Sequence, residues 1–140
     1  QNTGPNWKCG QEASLRVINI LLSNEILGSR QVANDLNSLL SIHLDRIGPT
    51  TFYAKAQDNN HGVSEGVALY LLGYFLWKRT KKHKYFSLHR KGLALVENRV
   101  DKLIMDDGTF SQYSIVYHRM VLDLLSLLAL QVKVCGKIVV

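Results

Sequence analysis

GVSEGVALYLLGYFLW, residues 62–77, is the most apolar stretch that reading the chain picks out, and its hydrophobic side chains fall on every side of a helix rather than along one stripe. A helix of that kind has to be enclosed by others. Glu65 interrupts the run, and its length falls short of the roughly 20 apolar residues that cross a bilayer. It therefore reads as a buried helix, and no membrane span is expected. Asp58, Asn59 and Asn60 precede it and are all competent N-caps, so the helix is predicted from His61 or Gly62 to about Arg79. Lys78, Arg79, Lys81, Lys82 and Lys84 crowd its far end. They read either as a solvated turn that complements the helix dipole or as a contact for a polyanion.

Outward from this run the same periodicity recurs. Gly4-Pro5-Asn6-Trp7 is a turn-like lead-in, after which Glu12, Ala13, Arg16, Val17, Ile20, Leu21 and Leu22 predict a first helix over about 8–27, stopped at Gly28. Ser29 suits the N-cap of a second helix through Val32, Leu36, Leu39, Leu40 and His43, ended near Gly48-Pro49. Thr50 to Asn60 reads as the only substantial loop. Downstream, His83 to Met105 carries a buried face of Leu88, Leu93, Leu95, Val96, Val100, Leu103 and Ile104, closed by the turn Asp106-Asp107-Gly108. A fifth helix spans about Ser114 to Leu130, and the Val-rich tail from Gln131 to Val140 extends it or pairs as a short strand. Five helices with short links predict an all-α fold of stacked antiparallel hairpins, one domain over residues 1–140.

Composition agrees with a globular domain. Of 140 residues, 46% are hydrophobic, and 17 basic against 11 acidic side chains give a net charge of +6. That bias suits an anionic partner: nucleic acid, acidic lipid or acidic polysaccharide. Nucleic acid is disfavoured, since the basic residues are spread over several segments without a recognition motif. Cys9 and Cys135 lack the close pairing of a zinc site and read as two free thiols or one disulfide. There is no P-loop, dinucleotide fingerprint, metal-ligand helix or nucleophile elbow, so no cofactor or metal is expected. No charged segment followed by an apolar one marks a signal peptide, and the chain is expected to begin inside a longer product.

Two polar clusters stand at helix starts. The first is Asn59-Asn60-His61-Gly62; the second is Gln112-Tyr113-Ser114-Ile115-Val116-Tyr117-His118-Arg119. Asn60 is either a plain helix cap or an amide donor that, with the unpaired N–H groups and the dipole of a helix start, offsets a carboxylate. A tyrosine hydroxyl such as Tyr117, flanked by His118 and Arg119, suits proton transfer if cations lower its pKa from about 10. Tyr113, one helical turn earlier, is placed on the same face and rivals it. Glu12 and Arg16 are spaced for an i, i+4 pair, either a structural tie or a sugar contact.

The run from Asn59 through Asn60, His61 and Gly62 to Glu65, and the run from Ser114 to Tyr117 and His118, resemble the toroid domain of heparinase II/III-like polysaccharide lyases and of alginate lyases of the same fold. Glu12 and Arg16 match the look of an early helix of that family. The resemblance covers most of Trp7 to Leu130. It implies an incomplete (α/α) toroid, β-elimination on a uronate-containing polysaccharide, Asn60 neutralising the substrate carboxylate, His61 assisting, and Tyr117 as general acid and, for one stereochemistry, base. Asn59, Tyr113, His118 and Arg119 fall to substrate binding or positioning. It also implies a β-sandwich domain elsewhere in the parent, carrying a histidine that faces the tyrosine, and a periplasmic or secreted location. On that reading the isolated chain is inactive and either joins the rest of its parent or self-associates. A helical module that binds an anionic glycan without cutting it is the alternative.

Overall fold

Helix α4 (Asn60–Thr80) is the centre about which the other elements pack, as its all-round apolarity requires. The computed structural model describes residues 4–28 and 33–134. Around α4 lie α1 (Gly10–Leu27), α2 (Ala33–Ile47), the short α3 (Thr51–Ala56), α5 (His83–Leu103) and α6 (Ile115–Val134), with 3-10 turns at Pro5–Trp7 and Gly48–Thr50. Among the described residues the regular structure is all helical, apart from one antiparallel bridge between Ile104 and Phe110.

Every residue from Gly62 to Tyr74 is buried, and Val67, Leu69 and Leu72 have no exposed surface. α1 covers α4 with Ala13, Val17, Ile18 and Leu21, and α2 supplies Leu36, Leu40, Leu44 and Ile47 to the same core. α5 runs antiparallel to α4 and packs most extensively against it. Glycines set that distance. A Cβ on Gly92 would lie 2.4 Å from the Tyr70 nitrogen, and one on Gly73 would lie 2.6 Å from the His89 nitrogen, so the two backbones touch where no side chain fits. The buried His89 ring fills the space between, its Nδ1 at 2.9 Å from the Tyr70 carbonyl and its ring 4.2 Å from the Tyr70 ring. Lys81 closes α4 in the left-handed region at φ 57°, and its N–H donates to the Trp77 carbonyl at 2.7 Å.

The N-terminal segment is fastened by cations. Arg46 of α2 donates to the carbonyls of Trp7, at 2.6 Å, and Lys8. Arg16 bonds the Asn6 carbonyl and lies 5.2 Å over the Trp7 ring. The expected Glu12–Arg16 tie is therefore corrected: the guanidinium turns toward Trp7, where an aromatic face and a carbonyl replace the carboxylate.

Other expectations change in detail. Thr50 to Asn60 is not one loop, because α3 occupies Thr51–Ala56 and buries Thr51 and Ala54. α4 starts one residue earlier than expected and α5 ends two residues earlier. The tail after Leu130 continues α6 to Val134. Ser29, Val32 and residues 135–140, Cys135 included, lie outside the described residues; Cys9 carries a free, half-buried thiol.

α6 departs most from expectation. It is more apolar than α4, and Ile115–Lys133 is long and apolar enough to cross a membrane by length and composition, with 11% of that window buried. The most membrane-like stretch is thus in α6, not at residues 62–77. Among its described side chains Val121 and Leu124 are buried, while Ile115, Val116, Leu122 and Leu130 are exposed. α6 runs alongside α4 in the same direction: Gln112, just before it, bonds Asn60, and Gln131, near its end, lines a groove with Phe75 and Lys78.

Candidate functional site

Asn59, not Asn60, caps α4. Its backbone is extended, and its side-chain oxygen accepts from the His61 N–H at 3.0 Å. This leaves the Asn60 side chain without a capping role. Asn60 is 2% exposed, and its Nδ2 has no hydrogen-bond partner, an expensive state for a buried donor. Its main chain is fully engaged: the N–H donates to Gln112 Oε1 at 2.9 Å, and the carbonyl accepts from Ser64 Oγ at 3.0 Å. His61, next in the chain, is half-buried, and burial pushes its pKa below the ordinary histidine value. It is neutral at pH 7, able to donate through one ring nitrogen and accept through the other.

The corner that presents these residues is held from α5. Asp58 adopts φ 47°, and its carboxylate accepts from Lys102 Nζ at 2.5 Å and from Arg99 Nη1 at 2.6 Å, contacts that hold its pKa below the usual range. Arg99 is 2% exposed, also donates to the Lys55 carbonyl at 2.9 Å, and packs its aliphatic stem on Gly62, where a Cβ would lie 2.7 Å from Arg99 Cδ. One buried guanidinium thus ties α3, the turn and α4 together.

The second cluster reaches this corner through Gln112. A turn at Asp106–Gly108, with Asp107 accepting from the Thr109 hydroxyl at 2.7 Å and backbone N–H at 2.9 Å, sends the chain back antiparallel, so Phe110 enters the core. Ser114 heads α6: its hydroxyl accepts from the Tyr117 N–H at 3.3 Å and its carbonyl from the His118 N–H at 2.8 Å. His118 stacks on Phe110 with centroids 6.0 Å apart. Arg119 is exposed and reaches toward Asp123, 4.0 Å away.

Tyr113 and Tyr117 are not successive turns of one helix face. Tyr113 precedes α6, has φ 51° and is 92% exposed, whereas Tyr117 lies within α6 at 44% exposure. The left-handed backbone at Tyr113 breaks the helical path that the spacing suggests. Among the described residues no hydrogen bond or ring contact joins Tyr117 to Asn60 or His61. The structure therefore joins Gln112 to Asn60 and leaves Tyr117 on an open surface.

Glu65, which in the sequence reads only as an interruption of the apolar run, is a buried titratable group. It is 3% exposed, its Oε2 has no hydrogen-bond partner, and burial raises its pKa to about 7, against a smaller opposing influence of Arg46. It abuts Gly10 at the start of α1, where a Cβ would fall 2.1 Å from Oε1. No group of three or more His, Cys, Asp or Glu able to hold a metal occurs among the described residues. Comparison with protein-family models, with curated proteins and with solved structures finds no match to the chain.

Proposed function

We propose that this chain is the helical part of a heparinase II/III-like polysaccharide lyase, stacked hairpins of an incomplete (α/α) toroid, which cleaves a uronate-containing polysaccharide by β-elimination. The supporting observation is the Asn60 amide: buried, relieved of capping by Asn59, and without a partner for Nδ2 at a helix start. Nδ2 has no exposed surface in this structure, so a substrate carboxylate would reach and satisfy that donor on local opening of the corner, and would then gain from the adjoining dipole. With its charge offset, the proton on the carbon beside the carboxylate becomes removable. The electron pair left behind forms a double bond to the neighbouring carbon, whose bond to the glycosidic oxygen breaks, and that oxygen takes up a proton. Asn60 acts on the carboxylate, neutral His61 assists, and Tyr117 moves the proton. Asn59, Tyr113, His118 and Arg119 serve position or binding. The remaining histidine comes from a β-sandwich in the parent, and the 140 residues alone are inactive.

The test uses the parent protein on heparin-like, alginate-like and other uronate polymers, following ultraviolet absorbance of the unsaturated product. Tyr117→Phe is expected to lower turnover by at least about a hundredfold while the fold persists, with Tyr113→Phe doing much less. Asn60→Asp sets a negative charge against the substrate carboxylate and is expected to give a folded, inactive protein. Near wild-type rates from both Tyr117→Phe and Asn60→Asp sink the assignment. The open position of Tyr117, without contact to Asn60 or His61, favours the second reading, a module that holds an anionic glycan without cutting it. Binding with no absorbance gain on any uronate polymer selects that reading.

A further inference from the structure

The far end of α4 carries a charge pattern that the elimination chemistry does not use. Between residues 78 and 84 stand five cations, Lys78, Arg79, Lys81, Lys82 and Lys84, all exposed. Among the described residues none of them is in an ion pair, although Glu25 shares with Lys78 and Arg79 a groove of about 330 Å³ beside the hairpin. Four of the five lie over aromatic rings. Lys78 lies 5.6 Å over Tyr74, Arg79 5.0 Å over Phe75, Lys81 5.1 Å over Trp77 and Lys84 4.7 Å over Tyr85. Held over ring faces, these long side chains lose less freedom on binding than free lysines do.

We infer that the α4–α5 hairpin tip is a docking site for an acidic polysaccharide chain, separate from the Asn60 corner at the other end of α4. Twenty-one helical residues put the two about 30 Å apart. The choice of polymer rests on the function proposed above; the position of the site does not. Single-stranded nucleic acid is the poorer fit, because bases need open aromatic faces, and here those faces are covered by the cations. An anionic membrane is also the poorer fit, since the tip from Lys78 to Lys84 projects no apolar side chain beyond its charges. Glu25 keeps the polymer on the tip rather than in the groove.

Fluorescence anisotropy of a labelled heparin oligosaccharide with the full 140-residue chain tests this without any activity readout. Lys78→Gln, Lys82→Gln and Lys84→Gln together are expected to weaken binding at least about tenfold at about 0.1 M salt and to flatten its salt dependence. Removing three cations elsewhere, Lys8→Gln, Lys55→Gln and Arg90→Gln, is expected to weaken it less than about threefold. Heparin is also expected to protect Lys78, Lys82 and Lys84 of the wild type from an amine-reactive reagent, a measurement that stands even if the triple variant fails to fold. Equal losses in the two variants, or no protection, overturn the location. Tighter binding of an oligonucleotide or of phosphatidylserine vesicles than of heparin at equal salt overturns the polymer. A hairpin variant that loses heparin while the parent still cleaves short uronates leaves the lyase reading intact, and intact binding without cleavage leaves this one intact.

Discussion

α4 and α6 are nearly equal in length, 21 and 20 residues, and both are strongly apolar, yet α4 buries 15 residues and α6 buries Val121 and Leu124. The difference lies in what their neighbours can reach. α4 offers Gly66 and Gly73 to α5, which answers with Gly92, so backbone meets backbone and the surrounding side chains interlock. α6 contains no glycine and rests on α4 through one stripe, with Met120, Leu125, Leu127 and Leu128 partly covered. Apolarity states that a helix needs cover. Small residues at matching heights state which helix supplies it.

The contrast can be broken most directly at Gly92. Gly92→Ala drives a methyl into the Tyr70 and Gly66 backbones and is expected to lower stability by about 3 kcal/mol in denaturant unfolding; a loss below about 1 kcal/mol would show that the two helices separate cheaply. Next comes Glu65, on the α1 side of α4. Its folded pKa is raised from 4.5 to about 7, so its contribution is fully present below pH 4.5 and fades as pH rises through 7. His43, His61 and His89 act oppositely: burial lowers their pKa values, so their contribution is present above 6.5 and is lost as pH falls. Glu65→Gln removes only the first trend. The stability gap between variant and wild type should widen from pH 5 to pH 8 by up to about 3 kcal/mol, and a gap that does not change with pH means Glu65 titrates alike folded and unfolded.

Arg99→Leu sharpens the comparison at the α4 corner. Losing its charge-assisted hydrogen bonds should cost about 2 kcal/mol, and the Asp58 end of the bond counts for less because that carboxylate is 44% exposed. The smallest effects belong to α6. Leu122→Ala and Leu130→Ala, at 50% and 60% exposure, should each change stability by less than about 0.5 kcal/mol. A loss above about 2 kcal/mol at either, checked at several protein concentrations, would mean that this face is covered in solution.

The ends of α1 and α2 were legible at Gly28 and Gly48-Pro49, and the turn at Asp106-Asp107-Gly108 was legible too, although α5 stops before it, at Leu103, where Ile104 pairs with Phe110. α3 was not, because Thr51-Phe52-Tyr53 favours strand as much as helix and six residues are too few to show a period. Asn59 and Asn60 are the same chemistry one residue apart, so which of them caps could only be read from the backbone. Arg99 and Gln112 act across 41 and 52 residues, and no local pattern announces such partners. Glu65 read as an interruption of an apolar helix; its burial depends on Gly10, 55 residues earlier, offering no side chain. α6 looked like another packed helix because composition records apolar area and not its coverage.

The bond from the Asn60 N–H to Gln112 gives the corner a clock. An amide in the first turn of a helix ordinarily has no intrahelical acceptor and trades its hydrogen with water quickly. Here the acceptor lies 52 residues downstream, beyond the whole of α5. Deuterium uptake at Asn60 therefore reports the joint closure of α4, α5 and the turn before α6, and its slowing during refolding would time the moment at which the Asn60 corner comes into being.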